Sequence, residues 1–207
     1  VTNTATRHHQ QIQRDLEAIG IRVEPGELFT APLAVRAWIQ ERALTPHCLV
    51  HPAIRPTFED LEGDNPDCVL LGDAREELTD ADLNRAFRLV LAGALLIGLG
   101  MNRRFREAGE WMLDAGAFIQ GLAWAAEVEP IVMGKSSAAF FAQLVADVGV
   151  PAQRGLMVGD DAEAAVAAAL DAGLGGCLVQ TGKYRPGGEL RLSEKALKSG
   201  VRLPPSC

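Results

Sequence analysis

Arg154-Gly155-Leu156-Met157-Val158-Gly159-Asp160-Asp161 is the stretch whose reading decides the fold. Three apolar residues run into a glycine and two carboxylates, and an alanine-rich pattern from Ala162 to Asp171 follows. That order describes a buried parallel strand with a helix packing back over the sheet. Gly159 permits a sharp exit from the strand. Asp160 and Asp161 then face the crevice outside the strand ends, where open α/β sheets bind ligands. Two readings of the pair stand side by side. Adjacent acids offer oxygen ligands to a hard cation such as Mg2+, whose usual partner is phosphate. In the other reading Asp161 caps the helix that follows.

Outward from this stretch the chain repeats the same grammar. Downstream, Cys177-Leu178-Val179 reads as a strand, and Thr181-Gly182-Lys183-Tyr184-Arg185 follows at the same sheet edge. Upstream, Ile131-Val132-Met133 opens a second α/β region after Pro130, with Gly134-Lys135-Ser136 as its strand-end loop. Ser137 can cap a helix carrying Phe140, Phe141, Leu144, Val145 and Val148. Before that, His47-Cys48-Leu49-Val50, Cys68-Val69-Leu70-Leu71 and Leu95-Leu96-Ile97-Gly98-Leu99 read as buried strands. Thr79 caps a helix between the last two, with Asp82 in the third position of a capping box. The residues from Gly100 to Asp114 read as a loop, and a helix follows near Ala117 to Ala126. An α/β unit spanning about Ala31 to Glu127 results.

At the start, Val1-Thr2-Asn3-Thr4 reads as the last step of a strand and a polar turn. Arg7 to Ile19 has helical spacing ended by Gly20, and Thr30 caps a helix packed through Val35, Trp38 and Ile39.

Composition narrows the function. The 207 residues carry 20 basic and 27 acidic groups, a formal charge of -7, and no basic run that would track a nucleic-acid backbone. Nucleic acid and membrane are therefore not expected partners. The run from Leu89 to Leu99 is too short, and too broken by glycine, to span a bilayer. Cys48, Cys68, Cys177 and Cys207 form no CxxC pair, which fits buried thiols in a reducing compartment such as the cytoplasm.

Three strand-end loops are expected to converge by topology: Thr2-Asn3, Gly134-Lys135 and Gly159-Asp160-Asp161. A hydroxyl and an amide can donate to phosphoryl oxygens, an ammonium neutralises charge, and carboxylates hold magnesium. Those are the requirements of phosphoryl transfer, save for a nucleophile.

These stretches, with Val132-Met133-Gly134-Lys135 and Thr181-Gly182-Lys183-Tyr184-Arg185, resemble the haloacid dehalogenase (HAD) superfamily of aspartate-nucleophile phosphatases. The match runs to about Arg185 and includes Asn84, Ala86 and Phe87. It implies an α/β fold: a Rossmann-like core from residues 1–30 and 128–207, and an α/β cap, residues 31–127, inserted between the second and third motifs. It also implies roles. Thr2 is the hydroxyl donor of the second motif, Asn3 lines the phosphate pocket beside it, and Lys135 is the third-motif lysine. Asp160 is the principal Mg2+ ligand, with Asp161 in support. The substrate is a phosphorylated small molecule, and a cap-to-cap homodimer is the candidate assembly.

The departures are specific. The first motif supplies the attacking aspartate and an acid–base aspartate, and no segment of the 207 residues matches it. That strand would lie between those ending at Thr2 and Gly159, so further residues before Val1, or another chain, are expected to complete the sheet. The 207 residues alone are expected to be inactive by the phosphoaspartate route. Ala165 holds the position of another fourth-motif acid, and a methyl cannot support the site as a carboxylate does. Ser136 stands where a proline is common, and Gly187 to Cys207 lacks a clear final strand and helix. A non-catalytic phosphate-binding or interaction protein on the same fold is the competing class.

Other candidates have structural explanations. His47 and His51 fall in a strand pattern rather than on one helical face. His8 and His9 open a helix as solvent-facing residues pointing to different faces. Arg103, Arg104 and Arg106 stand in a loop that is either solvated or meets an anionic substrate, and Trp38, Trp111 and Trp124 read as packing residues.

Overall fold

The computed structural model describes residues 1–2, 4–24, 26–134, 137–182, 184–190 and 192. The chain divides into two compact units, Val1–Gly134 and Lys135–Cys207. Each has its own parallel sheet.

In the first unit, α1 (His9–Ala18) is followed by α2 (Ala31–Glu41), which starts where the sequence indicates. The Thr30 hydroxyl accepts from Leu33 N at 3.3 Å, and Pro32 sits in the first turn, where its missing N–H costs nothing. Strands β1 (Pro46–Leu49), β2 (Cys68–Leu71) and β3 (Leu95–Gly98) pair in parallel. Between β2 and β3 runs α3 (Asp80–Leu91), capped by Thr79 Oγ1 accepting from Asp82 N at 3.2 Å.

Alternation along the strands sends Leu49, Val69, Leu71 and Leu96 into one core with Ala86, Val90, Ile119 and Leu122. Cys48, Cys68, Leu70 and Ile97 are buried on the opposite face. A sheet covered on both faces explains why these strands are continuously apolar.

Two corrections arise in this unit. The segment read as a loop holds an antiparallel hairpin, β4 (Arg104–Glu107) with β5 (Glu110–Leu113). Its turn residues Ala108 and Gly109 both have positive φ, +48° and +90°, as a type I′ turn requires. Then α4 (Ala115–Ala126) packs Ile119, Leu122 and Ala123 inward and leaves Trp124 81% exposed. Trp111 on the hairpin is 57% exposed, so neither tryptophan is a core residue. The Trp111 ring instead carries the guanidinium groups of Arg104 and Arg106, at 4.6 and 4.9 Å.

The strand β6 (Ile131–Val132) pairs in parallel with β3 and completes the order β1-β2-β3-β6. Ile131-Val132 thus pairs within the first unit's sheet. A two-residue apolar step carries no sign of which sheet it joins.

The second unit begins with α5 (Ala138–Val148), capped by Ser137 Oγ accepting from Phe140 N at 3.2 Å. Strand β7 (Leu156–Gly159) pairs in parallel with β8 (Gly175–Leu178). Between them the Ala162–Ala167 segment is a π-helix, with Val166 N donating to Asp161 O at 3.2 Å, and α6 (Ala168–Asp171) continues it. Small residues let this helix lie close to the sheet. A Cβ on Gly159 would come 2.9 Å from Ala165 Cβ, and one on Gly176 would come 2.7 Å from Val166 Cγ1.

Candidate active site

The strand end of β7 presents the two carboxylates. Asp161 has extended backbone, and its Oδ1 accepts from Glu163 N at 3.2 Å and Ala164 N at 2.9 Å. Asp161 is therefore the N-cap of the helical segment. Its position satisfies orphan N–H groups and favours negative charge at the helix start. Neither of these capping bonds uses Oδ2, which is the oxygen Asp161 can offer to a cation.

Asp160 is half-buried at the exit of β7. Its carboxylate lies over Gly182, whose φ of +45° is in the left-handed region, and a Cβ there would collide with Asp160 Oδ2. The sequence shows the Thr181-Gly182 loop but not this dependence. The available signal is a glycine just beyond the strand end of β8.

The donor set suits magnesium better than a transition metal. Among the described residues no group of three or more His, Cys, Asp or Glu could hold a metal ion. Mg2+ is bound through one or two carboxylates and keeps several waters, so an acid at a strand end is a sufficient protein contribution.

In the first unit, Thr2 forms a parallel bridge with Thr30, and its N–H donates to Phe29 O at 2.9 Å. The Thr2 and Thr4 hydroxyls are 2.9 Å apart, and Thr4 N donates to Thr2 Oγ1 at 3.3 Å. Thr2 thus sits in an isolated bridge outside any strand, its hydroxyl beside that of Thr4. Asn3, Lys135, Ser136 and Lys183 lie outside the described residues. Ala165 is fully buried, and a Cβ added at Gly159 would come 2.9 Å from its own Cβ.

A second feature of the first unit escapes sequence reading. A cavity of about 270 Å³ is lined by Thr4, Thr6, Asp73, Arg75, Asn102, Phe105 and Asp114, among others. It lies at the C-terminal ends of β2 and β3, marked in the sequence by Gly72-Asp73 and Leu99-Gly100.

The histidines and thiols are structural. His8 is the N-cap of α1, and its ring lies 4.1 Å from that of His9, so the two do not point to different faces. Burial first, then the charge of His8, lowers the His9 pKa. Cys48, Cys68 and Cys177 are buried, and burial pushes the Cys68 thiol up to about 12.

The chain is similar to known proteins. Residues 132–198 match the HAD-hydrolase-like family model. Phospholysine phosphohistidine inorganic pyrophosphate phosphatase from Rattus norvegicus is 35% identical over 190 residues, covering 91% of this chain and 70% of that protein. Human haloacid dehalogenase-like hydrolase domain-containing protein 2 is 32% identical over 193 residues, covering 93% of this chain and 74% of that one. The p-nitrophenyl phosphatase from Archaeoglobus fulgidus superposes with a TM-score of 0.81 at 21% identity, covering 97% of this chain and 78% of that one, which shows the shared fold. With such identity along most of the rat and human proteins, the chain belongs to the haloacid dehalogenase-like hydrolases.

Proposed function

We propose that the protein is a Mg2+-dependent phosphatase acting on a phosphorylated small molecule through a phosphoaspartate intermediate. The observation that carries this reading is Asp160, seated over Gly182 at the end of β7, in a chain whose relatives are named phosphatases. In this reading residues 1–30 and 128–207 act as the core and 31–127 as the cap. Asp160 holds magnesium, with Asp161 contributing through Oδ2. Thr2 and Asn3 donate hydrogen bonds to phosphoryl oxygens, and Lys135 offsets their charge. Bound magnesium would supply Lewis-acid polarisation of the phosphoryl group. The attacking aspartate has no counterpart among the 207 residues, so turnover by this route needs one supplied from outside them.

The rat relative's name specifies phospholysine, phosphohistidine and inorganic pyrophosphate, so N-phosphorylated compounds and pyrophosphate belong in the test panel. A homodimer is part of the proposal. The buried cysteines Cys48 and Cys68 support a reducing, cytoplasmic setting.

A second reading, a non-catalytic phosphate-binding member of the same fold, is favoured by Ala165 packed against Gly159 in place of an acid. Phosphate release from a broad panel, with and without magnesium, separates the two when the protein carries its complete natural N-terminus. Metal-dependent turnover lost in Asp160→Asn supports the enzyme. Phosphate binding without turnover supports the second reading.

A further inference from the structure

The helix α4 ends in an open groove of about 530 Å³ lined by Ala123, Trp124, Glu127, Val128, Glu129 and Pro130, among others. Local geometry builds it. Glu127 has left-handed backbone, with φ of +54°, and Val128 N donates to Ala123 O at 3.0 Å. These turn the chain off the last turn of α4 toward β6. The Trp124 ring and Val128 are left exposed. Because β6 runs parallel to β3, the groove lies at the N-terminal end of that sheet, where Leu95 is also exposed. The strand-end cavity lies at the other end.

We propose that this groove docks a basic segment of a partner protein, with an arginine of that segment lying on the Trp124 ring. The other two tryptophans show what an indole of this chain holds. Arg42 stands 4.1 Å from the centre of the Trp38 ring, and Arg104 and Arg106 cover Trp111. Among the described residues no guanidinium lies over Trp124, the most exposed of the three. Charge selects the same occupant. Glu127 and Glu129 line the groove beside the ring, and among the described residues neither carboxylate has an ion-pair partner. The C-terminus of α4 adds the negative end of the helix dipole. An anionic lipid surface or a nucleic-acid backbone is repelled here, while an arginine gains both the ring face and a carboxylate. The groove is too open to enclose a small molecule, whereas a protein segment covers the tryptophan and its apolar neighbours together.

A labelled peptide of alternating arginine and leucine, titrated with the protein carrying its complete natural N-terminus, tests this by fluorescence anisotropy. The expected result is saturable binding that weakens at least about tenfold when citrulline replaces arginine, since citrulline keeps the shape and loses the charge. Trp124→Leu keeps an apolar side chain at an exposed position and should weaken binding at least about fivefold. Glu127→Gln combined with Glu129→Gln should weaken it about threefold or more, with a reduced dependence on salt. The indole N–H resonance of Trp124, assigned with Trp124→Phe, should shift as the peptide is added. Equal binding of the citrulline peptide, binding unmoved by Trp124→Leu, or no saturable binding overturns the proposal. So does spermidine shifting the Trp124 resonance as strongly as the peptide, which would make the ligand a small cation. Self-association that Trp124→Leu abolishes also overturns it, because a second copy would then be the occupant.

Discussion

At the scale of single residues, Asp161 shows how one side chain can be claimed by two functions. Its Oδ1 is committed to the N–H groups of Glu163 and Ala164, so Asp161→Ala should destabilise the second unit by about 1 kcal/mol, read by urea denaturation. The cap was legible because an acid precedes an alanine-rich run. The seating of Asp160 on Gly182 was not legible, since the two are distant in sequence and a glycine gives no sign of which side chain needs its missing Cβ. His47 supplies a pH prediction. Its Nε2 is buried without a hydrogen-bond partner, and burial, then the charge of Arg85, lowers its pKa from 6.5 despite Glu62 and Asp82, with Arg55 opposing protonation too. The unfolded chain therefore binds the proton more readily than the folded one. Stability from this group is complete above about pH 6.5 and falls as pH drops through and below it. Chemical denaturation from pH 5 to 8 should show that slope, and His47→Gln should flatten it in part, His9 supplying the same sign.

Among the elements, the hairpin of β4 and β5 was hidden by its composition. Arginines and glutamates on exposed strands look like a solvated loop, and Ala108-Gly109 lacks the asparagine that usually announces a type I′ turn. Ala108 occupies a φ of +48° at a cost that asparagine tolerates better. Ala108→Asn should therefore raise Tm by about 1–3 °C, checked by thermal unfolding. Strands β1, β2 and β3 were legible, because burial on both faces demands unbroken apolar runs. So were the starts of α2, α3 and α5, each announced by a hydroxyl residue that the structure uses as a cap. The π-helical opening of Ala162–Ala167 was not, since alanine serves α and π geometry alike. Gly182→Ala tests the loop that seats Asp160. The added methyl strains a left-handed residue and collides with Asp160, so magnesium affinity should fall at least about tenfold while α5 and β8 keep their amide-exchange protection. Unchanged affinity would remove Gly182 from the account.

For the whole molecule, the sequence reads as an α/β chain with an inserted unit, and the structure shows two compact units that divide at Gly134. The short β6 step joins β3 because register in a parallel sheet is set by neighbours in space, which a two-residue run cannot reveal. Among the described residues β7 pairs only with β8, and Leu156 and Val158 are more than half exposed. An apolar strand with an open edge invites further pairing, so Val158→Lys should lower concentration-dependent association of the 207-residue chain, measured by light scattering. Asp160 as the cation ligand of a phosphate site is the central claim. Mn2+ electron paramagnetic resonance on the protein with its complete natural N-terminus, with and without inorganic phosphate, tests it most directly. The account predicts one cation site that phosphate tightens and that Asp160→Asn abolishes. Undiminished Mn2+ binding in Asp160→Asn would contradict it.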